Sequence, residues 1–180
     1  MHSTMLRLSL AAALALALTA CAPMSVNSFV ERHADLATYR TFMWGPPDAA
    51  GTGDPRLDNN RFFDERVRAQ VEVALERHGL EKLSSGMPDL LVHYHANFEQ
   101  DIDARQLDPR YSYCAAGDCR PFVYDKGTLF VDLVDPRGNR LIWRGWAEGA
   151  VNGVVDNQAW MESRVDEAIA RILRRLPNRL

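Results

Sequence analysis

The chain has 180 residues, 47% hydrophobic and 25% charged, with a formal net charge of −3. That length suits one domain of ordinary size, and the composition excludes a disordered tail and a polytopic membrane protein. Lys and Arg (21) do not outnumber Asp and Glu (24), so no basic excess exists to hold a phosphate backbone, and nucleic acid is not an expected partner.

Residues 1–20 read as an address. Leu8–Leu18 (LSLAAALALAL) is unbroken Leu and Ala with one Ser. It is too short for a bilayer-spanning helix, which takes about 20 residues, and it suits the apolar region of a secretory signal peptide. Leu18-Thr19-Ala20-Cys21 follows, and it resembles the lipobox of bacterial lipoproteins. The resemblance implies cleavage before Cys21, a diacylglycerol on its sulfur and an N-acyl chain of the palmitate type on the new terminus. No other cofactor is expected. Ala22, where an Asp would signal retention at the inner membrane, implies an outer-membrane lipoprotein facing the periplasm. An ordinary signal peptide cut after Ala20 is the competing reading.

Residues 21–24 then form a lipidated tether, and 25–180 a single domain. Val26–Val30 alternates apolar and polar as a short strand. Tyr39–Trp44 is a second strand, stopped by Gly45-Pro46-Pro47. Residues 45–59 have no period. A helix follows, capped by Asn59 or Asn60, with Phe63, Val67, Val71, Ala74 and Leu75 on one face. Gly79 can take the left-handed position after it, and Leu80 can fold back on the last turn. In the strand Leu90–Phe98, alternation turns Leu90, Val92, Tyr94, Ala96 and Phe98 inward and Leu91, His93, His95 and Asn97 outward.

Gly127–Val134 and Arg140–Val151 are two further strands joined by Asp135-Pro136-Arg137-Gly138-Asn139. Gly138 is expected at positive φ, with Asp135 facing Asn139. That register pairs Leu133 with Leu141, Val131 with Trp143 and Leu129 with Gly145 on one face. Asp132 then meets Ile142, Phe130 meets Arg144, and Thr128 meets Trp146 on the other. A final helix runs Gln158–Leu176 on a stripe of Met161, Val165, Ile169, Ile172, Leu173 and Leu176, capped by Asp156 or Asn157 and ended by Pro177. The order β-β-α-β-β-β-α predicts an α+β two-layer sandwich. Its sheet is mostly antiparallel, both helices pack on one face, and the other face is open to water.

Several segments carry a resemblance that spans nearly all of the mature chain. They are Thr38–Trp44 (TYRTFMW), Pro88–Val92 (PDLLV), Gly127–Asp135 (GTLFVDLVD) and Leu141–Gly149 (LIWRGWAEG), with the closing helix before Pro177. In these the chain resembles the bacterial envelope lipoproteins of the domain-of-unknown-function family 4136 (DUF4136). The resemblance implies a lipid-anchored envelope domain and brings no activity with it.

His93 and His95 stand two apart on one strand face, about 7 Å apart by strand rise. They are half of a candidate metal site, with Glu99, Asp101 or Asp103 as a third ligand; a pair of polar residues on a wet face is the plainer reading. Cys114 and Cys119 are expected to pair in an oxidising envelope compartment, reduced thiols being the alternative. Residues 99–126 are long for a bare loop and aromatic (Tyr111, Tyr113, Phe122, Tyr124), so an ordered excursion is expected there, either an extended hairpin presenting its aromatics to a partner or a lid with its aromatics folded back on the sheet. Phe130, Arg144 and Trp146 form a charged-aromatic band. With Tyr111, Tyr113 and Tyr124 they make the candidate binding surface, or else a ladder that only stabilises the sheet. No Gly-x-Ser-x-Gly, His-Glu-x-x-His, P-loop or dinucleotide fingerprint occurs. The expected function is therefore a non-catalytic binding or assembly module that meets the membrane through its lipid and an envelope protein through its surface. The alternative is a periplasmic metal- or small-ligand-binding module using His93, His95 and the 99–126 segment.

Overall fold

Six strands form one sheet: β1 (Met24–Val30), β2 (Thr41–Trp44), β3 (Glu81–Lys82), β4 (Leu90–Ile102), β5 (Val123–Asp135) and β6 (Arg140–Ala150). Their spatial order is β1-β6-β5-β4-β2-β3. The computed structural model describes residues 24–46, 51–58, 60–102 and 123–177. Three junctions are antiparallel (β1–β6, β6–β5, β5–β4) and two are parallel (β4–β2, β2–β3). The parallel pairs arise because helix α1 (Arg61–Arg77) carries the chain back across the sheet between β2 and the strands that follow. β3 has only two residues, Glu81 and Lys82, too short to leave a pattern in the sequence.

Both helices are specified by their ends. Asn60 caps α1 by accepting from the Phe63 N–H at 3.1 Å, which satisfies one of the helix's free donors. At the other end Gly79 sits at φ 79°, where the Leu80 N–H reaches the Leu75 carbonyl and the Gly79 N–H the Glu76 carbonyl. That pair of bonds is a Schellman ending, and Leu80 is buried by it. Helix α2 (Gln158–Leu173) is capped by Asn157, which accepts from the Trp160 N–H at 3.0 Å. It stops three residues earlier than the apolar stripe suggested; Leu176 is nonetheless buried, in a turn beyond the helix.

The helices pack together on one face of the sheet. Phe63 of α1 meets Tyr94 of β4 edge to face, with ring centroids 6.2 Å apart. Over β6, α2 comes close because Gly145 has no side chain: an added Cβ would collide with Cη2 of Trp143 and lie 2.6 Å from Cγ2 of Ile172. The core is thus Phe42, Leu90, Val92, Val131, Leu133 and Trp143 beneath Val67, Val71, Leu75, Ile169 and Ile172. No described helix is long and apolar enough to cross a membrane.

Two sequence motifs meet in a polar clasp. Asp89 Oδ2 accepts from the Arg40 N–H (2.9 Å), the Thr41 N–H (3.1 Å) and the Thr41 hydroxyl (3.1 Å). The Asp89 N–H donates to Thr41 Oγ1 at 3.0 Å. The start of β2 is thereby fastened to the start of β4, and Arg137 in the β5–β6 turn reaches the other Asp89 oxygen at 3.1 Å.

The β5–β6 register differs from the expected one. Leu133 faces Trp143, Val131 faces Gly145, Phe130 faces Trp146 and Asp132 faces Arg144, with Asp135 opposite Arg140. The ladder shifts between Leu133 and Val134. Two features cause the change. The turn holds the full four residues 136–139, with Asn139 rather than Gly138 at positive φ (47°). A bulge then leaves Ile142 as an extra residue on β6. The two together move the register by two residues. From Trp143 onward β6 keeps its expected inward and outward sets, but Leu141, expected inward opposite Leu133, pairs with Val134, and Ile142, expected outward opposite Asp132, is buried in the core.

Candidate functional site

The register places one continuous array on the sheet face away from the helices. One row runs Phe29, Arg144, Asp132, His93; the next runs Asn27, Trp146, Phe130, His95; a third runs Ser25, Glu148, Thr128, Asn97. At its centre Asp132 is buried to 4% exposure although it is ionisable. Its carboxylate accepts both ends of the Arg144 fork, from Nε at 2.7 Å and from Nη2 in a shorter bond. Nε2 of His95 lies 3.4 Å from the same carboxylate. A buried carboxylate needs such partners, and a planar guanidinium supplies two bonds at once. The bond to Asp132 raises the Arg144 guanidinium above its ordinary value. Phe130 and Trp146 stack at 6.3 Å, and the Arg144 guanidinium sits 5.6 Å from the Phe130 centroid. Phe130, Arg144 and Trp146 are therefore brought together as the sequence suggested, and the cross-strand ladder that is the plainer reading of them is present too.

His93 and His95 share that outer face, yet their surroundings differ. His95 belongs to the Asp132 cluster, whereas the imidazole of His93 occupies the space where a Gly45 side chain would stand, so any added Cβ would collide with its Cε1. Gly45 thus does more than stop a strand, a role its Gly-Pro-Pro context hid. Glu99 and Asp101, offered as third ligands, instead hold Lys126 at 2.9 and 3.4 Å. Among the described residues no three His, Cys, Asp or Glu side chains gather closely enough to hold a metal ion.

Both histidines also border a cleft that sequence reasoning did not anticipate. β2 ends at Trp44, and the last tie on that side of β4 is the Gly45 N–H donating to the Val92 carbonyl at 2.9 Å. The next is the Phe98 N–H to the Thr52 carbonyl at 2.7 Å. Between them opens a cavity of about 650 Å³ lined by Trp44, Asp64, Arg68, His93, Tyr94 and His95, among others. Its walls are held in place: Arg68 stacks 4.5 Å from the Trp44 centroid and donates to Asp64 at 2.8 Å. The Tyr94 hydroxyl donates to the same carboxylate at 2.9 Å. Burial, and then that bond, pushes the Tyr94 phenol well above its ordinary value.

The expected excursion begins as a hairpin. β4 and β5 stay paired out to Ile102 and Val123, so 99–102 and 123–126 are strand. The Tyr124 hydroxyl donates to Asp101 at 3.3 Å. The Ile102 N–H, then Lys126, holds the Asp101 carboxyl below its usual range. Tyr124 shares the outer face with Phe130 but stands six positions away, about 20 Å along the strand, so it is separate from the band. Cys21, Asp103, Tyr111, Tyr113, Cys114, Cys119 and Phe122 lie outside the described residues.

The fold and its face define an open-faced α+β domain, with a helix-covered side and an exposed side rich in aromatic and charged groups. The family model for the domain of unknown function DUF4136 matches residues 26–178. The chain belongs to the DUF4136 family. A DUF4136 family protein from Bacteroides thetaiotaomicron superposes with a TM-score of 0.57 at 12% identity, over 87% of this chain and 97% of that one. A PDZ domain protein from Parabacteroides distasonis gives 0.54 at 15% identity, over 93% of this chain. This chain spans only 40% of that protein's length. PelC from Paraburkholderia phytofirmans, a dodecamer, gives 0.50 at 11% identity, over 88% of this chain and 100% of that one. Identities this low show a shared fold alone. No curated protein sequence matches the chain.

Proposed function

We propose that this chain is a lipid-anchored bacterial envelope protein, attached at Cys21 to the outer membrane and facing the periplasm. It acts without catalysis as a binding or assembly module, and the outer face of the sheet is its contact surface. The observation that carries the binding reading is the Phe130–Trp146 stack braced by Arg144 and Asp132. Aromatic groups and an arginine are held rigid and in reach of a partner, which lowers the ordering cost of recognition. The Leu-Thr-Ala-Cys sequence supports the anchor, and Met24 of β1 lies only three residues beyond Cys21. Three residues extend at most about 10 Å, so a lipid on Cys21 would hold the domain against the bilayer surface.

Metabolic labelling with an alkyne fatty acid tests the anchor. Label and membrane association are expected in the wild type and absent from Cys21→Ser. An unlabelled protein that still begins at Met1 would end the reading. A second reading has its own observation, since both His93 and His95 border the 650 Å³ cleft. On that reading the protein binds a small ligand or a metal ion. Native mass spectrometry with elemental analysis of the purified protein decides it: a bound mass or metal lost in His93→Ala/His95→Ala supports the second reading, and a clean apo mass rejects it.

A further inference from the structure

The two edges of the sheet are protected very differently. At one edge β3 is two residues long and both are charged, Glu81 and Lys82. At the other, β1 runs seven residues, MSVNSFV, with no charge, no proline and no break in its register with β6. Natural sheets guard their edges with charge, proline, bulges or shortness. β3 has two of these devices and β1 has none.

The outward groups of β1 can be identified. The Glu31 N–H donates to the Ile142 carbonyl, so odd-numbered positions of this segment turn toward β6. Met24, Val26, Ser28 and Val30 therefore present their backbone N–H and C=O groups outward. The Met24 carbonyl accepts from Arg171 at 3.3 Å. Among the described residues the outward groups of Val26, Ser28 and Val30 have no hydrogen-bond partner. Phe29 and Val30 are 48% and 36% exposed at the end of the strand.

We propose that β1 pairs antiparallel with β1 of a second copy of this chain, across a two-fold axis at Asn27. The strand is its own complement in this register. Val26 lies opposite the partner's Ser28, and Met24 opposite the partner's Val30, so every outward donor meets an outward acceptor. No like charges meet, because the strand has none. Phe29 lies opposite the small Ser25 of the partner subunit. A closed two-fold contact of this kind uses one patch twice. It joins two six-stranded sheets into one and sets the two outer faces side by side. The inference stands on the edge itself and is independent of the lipid on Cys21.

Asn27 would face its symmetry mate in a non-hydrogen-bonded pair, with Cα atoms about 4.5 Å apart, within disulfide range. The test uses the full chain in detergent with Cys21→Ser, Cys114→Ser and Cys119→Ser, a thiol-free background that should stay unlinked under mild oxidation. Adding Asn27→Cys should give a covalent dimer in high yield, and adding Trp160→Cys instead, on the exposed start of α2, should not. Ser28→Pro removes an outward N–H that the fold does not use. Sedimentation should show its mass falling from dimer to monomer with an unchanged circular dichroism spectrum. A monomeric wild type would overturn the proposal. So would a dimer that survives Ser28→Pro or leaves Asn27→Cys unlinked, or a linkage from position 27 to a different protein.

Discussion

The two faces of one sheet are built on different physics. Beneath the helices the strands present Leu, Val and Trp, and fit is decided by volume: Gly145 is present because Ile172 and Trp143 leave no room for a methyl group. On the outer face Asp132 is as buried as many core residues, yet no described helix covers it. It is enclosed by its neighbours in the ladder, Arg144 and His95. Burial can thus come from a second layer or from lateral pairing, and the two kinds fail in different ways. The covered face should be sensitive to size, and the outer face to the loss of one charge from a pair.

The largest effect is expected where size matters most. Gly145→Val should destabilise by about 3 kcal/mol through overpacking against Trp143 and Ile172. Urea unfolding checks this, and a near-neutral result would mean that the faces do not differ as described. Next comes Asp132→Asn, which leaves the Arg144 guanidinium half-buried without its counter-charge. The expected cost is about 2 kcal/mol, below that of a fully buried pair because the Arg144 side chain is 39% exposed. Replacing both partners together, Asp132→Leu with Arg144→Leu, should recover most of the loss, which a double-mutant cycle would measure.

The Asp89 clasp sharpens the contrast through pH. The Arg40 N–H, then the Thr41 hydroxyl and N–H, hold the Asp89 carboxyl below its usual range. A carboxyl depressed in the folded state binds its proton more readily when unfolded. Its contribution is therefore complete above the ordinary carboxylate value, near pH 4, and is lost as pH falls through the lower folded value. Asp89→Asn should cost about 1 kcal/mol at pH 7 and flatten the decline in stability as pH falls below about 4. An unchanged acid limb would show the clasp to be energetically idle. A smaller loss, about 1 kcal/mol or less, is expected for Asn60→Ala at the start of α1, since one capped N–H is all that it serves.

Much of this architecture was legible in the sequence because it follows local rules. The 3.6-residue stripes of both helices, the Asn caps, the Gly79 ending and the period-two alternation of Leu90–Phe98 all appear where the residues placed them. Other features depend on groups far apart in the chain. The bulge at Ile142 and the positive φ of Asn139 exist because β5 and β6 must meet in one register, and no window of either strand alone records that constraint. The fit of Gly45 to His93 and the cleft beside β4 depend on where β2 runs out, and the Asp89 clasp joins residues nearly fifty apart. Phe130, Arg144 and Trp146 were legible as a group because alternation alone puts them on one face. Which of them face each other was not.

The central functional claim is that the outer face is the one a partner meets. It can be tested by placing a photoreactive phenylalanine analogue in living cells, either at Trp146 on that face or at Val73, which is 42% exposed on α1. Discrete adducts are expected from position 146 and not from position 73. Adducts from position 73 alone, or equal and diffuse yields from both, would contradict the account.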